Sequence, residues 1–209
     1  EEVARQFKKY DFTSMPVVDN EERLVGIITI DDVVDILEEE ATEDIEKMAA
    51  VMPSDRPYMK TSVIEAWKNR IPWLLLLMLS ATFTGSIISS FENALARYVV
   101  LTTFIPMLMG TGGNAGGQSS AIIIRGLSLD EISFKDWPVV VWKEIRTAFL
   151  CGLTLAVCGF VKMLIIEQVS VTVALVVSAT LFLVVIVAKI VGSALPILVK
   201  KIGMDPAVM

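Results

Sequence analysis

Apolar positions change their spacing near residue 70. Up to Arg70 they come in short runs broken by charges, and beyond it they lengthen to membrane scale. Ile71–Ser90, IPWLLLLMLSATFTGSIISS, is twenty residues without a charge, the length that a bilayer core of ~30 Å demands of a helix. Leu95–Ile124 is a second apolar stretch, Thr147–Ile166 a third and Val169–Val199 a fourth. The spacing therefore predicts four membrane spans. Pro72 is expected in the first turn of the first span, where its missing N–H costs nothing.

The first forty residues follow another pattern. Helix-like EEVARQFKKY leads into extended MPVVD, a polar turn NEER, the apolar strand LVGIITI, and a helix with Asp31 and Asp32 as N-cap candidates. From Asp31 to Glu46 the sequence DDVVDILEEEATEDIE holds nine carboxylates and no base. On a helix, Asp32, Asp35, Glu39, Glu43 and Glu46 recur every three or four residues and form one acidic face. A solvated face is the ordinary reading. Like charges at i, i+4 cost ~0.2–0.5 kcal/mol per pair, however, and a divalent cation would offset that repulsion. Oxygen ligands without His or Cys favour Mg²⁺ or Ca²⁺ over zinc or copper.

Composition sharpens the division. The chain is 54% apolar with a mean hydropathy of +0.65, above the ~45–50% of ordinary globular domains. Residues 1–70 carry 17 acids and 9 bases, whereas residues 71–209 carry 7 acids and 9 bases. An acidic part thus precedes a weakly basic membrane part. Lys68 and Arg70 precede the first span, Arg125, Lys135, Lys143 and Arg146 lie between the second and third, and Lys200 and Lys201 follow the fourth. With four crossings these fall on one side, so the N-terminal part is expected in the cytoplasm. Trp137 and Trp142 flank the long inner loop as interface aromatics. EEVARQFKKYDF has neither the basic nor the apolar region of a signal peptide, and reads as the continuation of a longer chain, as GMDPAVM reads as the start of a further apolar segment. Cys151 and Cys158, seven apart in an apolar segment, read as packing residues. The absence of His removes the commonest general base, and with no evident nucleophile an enzyme is not expected.

One stretch breaks the apolar pattern. MGTGGNAGGQSS, residues 109–120, spends seven positions on Gly, Asn and Gln between apolar runs. Gly110, Gly112 and Ala115 match G-x-G-x-x-A, but a dinucleotide site needs a soluble βαβ unit. A P-loop would need a following Gly-Lys-Ser/Thr. Close helix packing through small residues is one remaining reading. The other is a pore-lining irregularity, since irregular backbone at membrane depth is tolerated only inside protein or beside water. Carbonyls, Thr111, Asn114 and Gln118 would suit a hydrated cation such as Mg²⁺, which dehydrates reluctantly.

Two resemblances follow from these residues. SMPVVD followed by LVGIITIDDVV resembles the second half of a CBS domain, which implies that Thr29 and Asp32 meet the phosphate and ribose of an adenine nucleotide such as ATP. PMLMGTGGNAGGQSS, FKDWPVVVWKE, GSALP and GMDPA, together with TIDDVVDILEEEATEDI, resemble the MgtE family of magnesium transporters along essentially the whole chain. The family resemblance implies a homodimer with five membrane helices per subunit, a pore on the two-fold axis, and a cytosolic part that binds Mg²⁺ and closes the gate. It implies sensing carboxylates at Asp11, Asp32, Asp35, Glu40, Glu43 and Asp44, and an ion path touched by the Gly110 carbonyl and the Asn114 side chain, with Asp205 opening a fifth helix. Gly117 stands where some members carry Asn. Lys189, deep in the fourth span, costs ~2.5–3.5 kcal/mol on insertion scales and would repel cations in a pore, so it is expected to point away from the axis or to snorkel.

The expected fold is mainly α: a polytopic helical membrane domain preceded by a partial α/β CBS-type segment. Residues 1–44 are expected to form the end of a second CBS domain, 45–69 a connecting plug helix region that transmits movement, and 70–209 an MgtE-type membrane domain ending before its fifth helix. The expected function is Mg²⁺ transport across the plasma membrane through a dimeric, Mg²⁺-gated pore. The alternative is a membrane-anchored CBS-type nucleotide or ion sensor or scaffold without transport. Expected partners are a second copy, Mg²⁺ and the lipid bilayer, and nucleic acid is not expected.

Overall fold

A computed structural model describes residues 2–54 and 56–208. The chain divides into two compact units, residues 1–77 and 78–209. The first begins with helix α1 (Glu2–Tyr10), strands β1 (Ser14–Val18) and β2 (Leu24–Thr29), and helix α2 (Ile30–Met48). The strands pair antiparallel from Ser14 opposite Thr29 to Val18 opposite Leu24, with an irregularity at Val17/Val18. Their turn is held by Asp19, whose carboxylate accepts from the backbone N–H of Glu21 at 2.8 Å and of Arg23 at 2.9 Å. The Arg23 N–H is the main cause that holds the Asp19 carboxyl below its usual range. Ala4 and Phe7 of α1 and Val33 of α2 form a small buried core, with Met15 and Ile28 packed against it from the strands.

The element order agrees with the sequence pattern, but the cap of α2 differs. Thr29 is the N-cap, and the Asp32 carboxylate accepts from both its N–H and its hydroxyl, at 3.1 and 2.8 Å. This is the capping box, with Asp in the place of the usual Glu or Gln. The helix then continues to Met48, so residue 44 lies inside it. Among the described residues between α2 and residue 63 the one helical element is a 3₁₀ turn at Tyr58–Lys60.

Helix α3 spans Val63–Ser90, beginning eight residues before the expected first span. Pro72 therefore stands inside the helix rather than in its first turn, and leaves the carbonyl of residue 68 without its usual helical donor. A short helix α4 (Glu92–Arg97) and a 3₁₀ stretch (Val99–Phe104) follow, then α5 (Ile105–Ser128), α6 (Trp137–Ile165) and α7 (Val171–Lys201). The expected second span thus splits at Tyr98, and the third starts ten residues earlier than Thr147. The earlier start follows from Pro138 in the first helical turn and a preceding capping box, in which Asp136 accepts from the Ser133 hydroxyl at 2.6 Å. Among the described residues α3, residues 134–165 and α7 are long and apolar enough to cross a membrane. Helix α5 is less apolar, yet its 24 residues reach about 36 Å.

Within the second unit α7 packs against both α5 and α6. Near the α6–α7 connection, Phe104, Met163, Ala174 and Val177 form one buried cluster, and Ile123, Leu127 and Ile197 form another near the far end of α5. The Phe149 and Phe182 rings meet edge to face at 5.6 Å between α6 and α7. Between α5 and α7 the contact is made by small residues. A Cβ at Gly112 would lie 2.7 Å from Val184 Cγ1, and one at Gly192 would collide with the carbonyl oxygen of Gly116. The backbones approach this closely only because those side chains are absent.

Replacing Gly192 by Ala should push α5 and α7 apart and lower stability in detergent by ~1–3 kcal/mol. Gly85 has open space where a Cβ would go, so Gly85→Ala should be neutral or slightly stabilising. Thermal unfolding of the two variants checks this, and an equal loss in both would show that the seam is not tight.

Candidate functional site

The Gly-rich stretch lies wholly inside α5, and the helix runs through it without interruption. The expected irregular break is therefore absent. A helix satisfies every backbone group at membrane depth without help, and the small residues serve its surface instead. That surface has two faces. Gly112, Ala115, Ser119 and Ile123 are buried, a 3.6-residue stripe directed at α7. Gly110, Gly113, Asn114, Gly117 and Gln118 are exposed, and nothing lies within 4 Å of where a Cβ would sit at Gly110, Gly113 or Gly117. The open face thus combines two amide side chains with three positions where backbone is uncovered. Each helical carbonyl there keeps a second lone pair. Packing and opening, posed as alternatives by the sequence, occupy opposite faces of one helix.

Behind the buried stripe lies a polar group of three residues from three helices. Ser119 of α5 donates its hydroxyl to Glu144 Oε2 of α6 at 2.6 Å and accepts from Lys189 Nζ of α7 at 3.2 Å. The ammonium and the carboxylate are 4.0 Å apart. Ser119 is fully buried, and Glu144 and Lys189 are 8% and 5% exposed. Lys189 thus does not snorkel. It is neutralised inside the helix packing, which avoids the several kcal/mol that an unpaired buried ion carries. The expected start of the third span at Thr147 leaves Glu144 outside it, so the sequence alone does not bring Ser119 and Glu144 to Lys189. A mid-helix acid and a mid-helix base in neighbouring apolar segments were the available signal.

The expected cytosolic residues are spread along the first unit. Asp32 and Thr29 bond each other in the α2 cap. Asp35 is exposed, while Glu40, Glu43 and Asp44 are partly covered. Glu43 pairs with Lys47 one turn on, a base just beyond the acidic run that offsets part of its charge. Asp11 sits in the left-handed region, φ 53°. It lines a cavity of about 390 Å³ with Lys8 and six mainly apolar residues, and neither Thr29 nor Asp32 reaches that cavity. Among the described residues no three acids, His or Cys converge to hold a metal ion. Asp205 accepts from the Ala207 N–H at 2.8 Å and opens a 3₁₀ turn, Pro206–Val208.

The end of α2 is tied to the start of α3. Glu46 Oε2 accepts from the Ser54 N–H at 3.0 Å, and the Met52 N–H donates to the carbonyl of Asn69 at 2.8 Å. Arg56 lies 3.4 Å from Glu65. The acidic helix and the first long apolar helix are thereby joined through a short, bonded segment.

Comparison with known proteins places these features. Residues 105–209 match the family model described as MgtE, divalent cation transporter, and residues 1–39 match the CBS domain model. All of this chain aligns with the magnesium transporter MgtE of Thermus thermophilus at 43% identity and with that of Bacillus subtilis at 41%, covering 46% of each. An Enterococcus faecalis protein of the same name is 32% identical, over 45% of its length. The chain spans about half the length of these curated relatives.

Thr29→Ala removes the cap hydroxyl that bonds Asp32 and should cost ~1 kcal/mol in chelator. Chemical denaturation in chelator checks it, and an unchanged midpoint would contradict the capping assignment.

Proposed function

We propose that this chain, which belongs to the MgtE family of divalent cation transporters, carries Mg²⁺ down its gradient through a pore lined by the open face of α5. The observation that carries the proposal is the juxtaposition on that face of Gly110, Asn114 and Gln118 with no covering residue. Neutral oxygens suit an ion that keeps its water. Mg²⁺ holds ligands at ~2.0–2.1 Å and dehydrates reluctantly, so amide and carbonyl oxygens accept from its bound waters rather than replacing them. A polar face of this kind is costly against lipid and is relieved when a second copy turns the same face toward it. The pore is accordingly a homodimer's, on the two-fold axis, in the plasma membrane with the CBS part in the cytoplasm.

Gating follows from the acidic helix. Asp32, Asp35, Glu40, Glu43 and Asp44 lie along α2, and Asp11 lies just beyond α1. Among the described residues no three of these acids converge, and in this proposal the sensor is completed by carboxylates from elsewhere in the assembly. Bound Mg²⁺ relieves their repulsion and holds the cytosolic parts together. Loss of the ion lets them part, and the Met52–Asn69 and Glu46–Ser54 bonds carry that movement toward α3.

Mg²⁺ flux into proteoliposomes holding the full-length protein tests both parts. Asn114→Ala should lower flux by about tenfold or more through the lost positioning of hydrated ion. Asp32→Asn, Asp35→Asn and Glu43→Gln together should leave flux intact and abolish its inhibition by Mg²⁺ on the cytosolic side; Asn at position 32 retains an acceptor for the cap. Unchanged inhibition in the triple variant would overturn the gating proposal. Vesicles no more permeable to Mg²⁺ with the protein than without it would favour the sensor or scaffold reading.

A further inference from the structure

The seam between α5 and α7 fixes how closely the helices approach but not how far one slides along the other. Contact is made by Gly112 and Gly116 on α5 and by Val184, Ala188 and Gly192 on α7. Four residues to either side of Gly116 stand Gly112 and Ser120, which are also small. A slip of one turn, about 5.4 Å, that brings Gly112 opposite Gly192 would therefore keep glycine against glycine at the crossing. Such a slip would carry the open face of α5 with it, moving Asn114 and Gln118 by the same distance.

One contact distinguishes the registers. The Ser119 hydroxyl is the only α5 group bonded to the buried Glu144–Lys189 pair among the described residues. It stands one turn from the Gly116–Gly192 crossing. In this register it fills the 4.0 Å gap between ammonium and carboxylate, donating to one and accepting from the other. After a one-turn slip the pair would face Ala115 or Ile123, neither of which offers a polar side chain, and the unsatisfied charges would oppose the move.

We propose that Ser119, Glu144 and Lys189 are positioning residues for ion conduction. They lock α5 in register against α6 and α7, and so set the height of the Asn114 face in the membrane. The consequence for conduction rests on the transport proposal above, whereas the lock itself does not.

The test measures register and flux separately. Helices α5 and α7 run parallel, since Ser119 meets Lys189 and Leu127 meets Lys200. Met109 and Leu198 are both exposed and are separated mainly along the helix axes. Spin labels at these two positions of the full-length protein, in a cysteine-free background and diluted with unlabelled protein, report a slip nearly in full. Unmodified Ser119 should give one distance. Ser119→Ala should add a second population displaced by about 5 Å and lower Mg²⁺ flux about tenfold, and Ser119→Thr, which keeps the hydroxyl, should restore both. The Glu144→Gln and Lys189→Met double variant, which leaves no buried charge, should show the same second distance. A single unshifted distance in both Ser119→Ala and the double variant would overturn the lock, and full flux despite a second distance would overturn its role in conduction. Absence of flux from the unmodified protein would count against the transport proposal alone, since the distances still decide the lock.

Discussion

The membrane unit depends on the contact of backbone with backbone where Gly116 meets Gly192. In lipid there is little hydrophobic gain from pressing two apolar helices together, so association relies on close packing and on polar groups shielded between helices. Both are present at this crossing. The absent side chains let α5 and α7 approach until nothing larger fits. The Ser119, Glu144 and Lys189 group sits within one turn of the contact. Closeness alone would permit sliding, and a polar group alone would leave voids around it.

That arrangement leaves the other side of α5 available. Because the stripe of Gly112, Ala115 and Ser119 is consumed by α7, the amides of Asn114 and Gln118 face away from the packed interior. The positive charge expected to trouble a cation path, Lys189, is held on the far side of the helix against a carboxylate. A neutral polar face and a compensated interior are thus products of the same helical periodicity. The N-terminal unit works on different terms. Its small core around Phe7 and Val33 holds an acidic helix whose end is bonded to the start of α3.

Much of this was legible in the sequence. The alternation of short apolar runs with polar turns foretold α1, both strands and α2 in order, because β-branched runs bounded by turn residues favour extended backbone. Apolar length located α3, α6 and α7. What failed did so for identifiable reasons. Span starts at Ile71 and Thr147 were placed at the last charge, yet helices continue past Lys68, Lys143 and Arg146, whose side chains are tolerated near a membrane surface. That error hid Glu144 in a presumed loop and left Lys189 without its partner. Thr29 was overlooked as a cap because the following Asp31 and Asp32 drew attention. The glycines of residues 110–117 suggested a break, since Gly weakens isolated helices, but their cost is offset by contact with α7, which one segment's sequence does not display.

Thiol accessibility along α5 decides whether one side of this continuous helix meets water while the other is packed. Cysteines placed singly from position 109 to 119 in a cysteine-free full-length protein, and challenged with a small, charged thiol reagent in native membranes, test it directly. Reaction is expected at 110, 113, 114, 117 and 118, protection at 112, 115, 116 and 119, and slowing of the reactive positions by Mg²⁺. Uniform protection along the stretch, or reactivity concentrated on the α7 side, would contradict it.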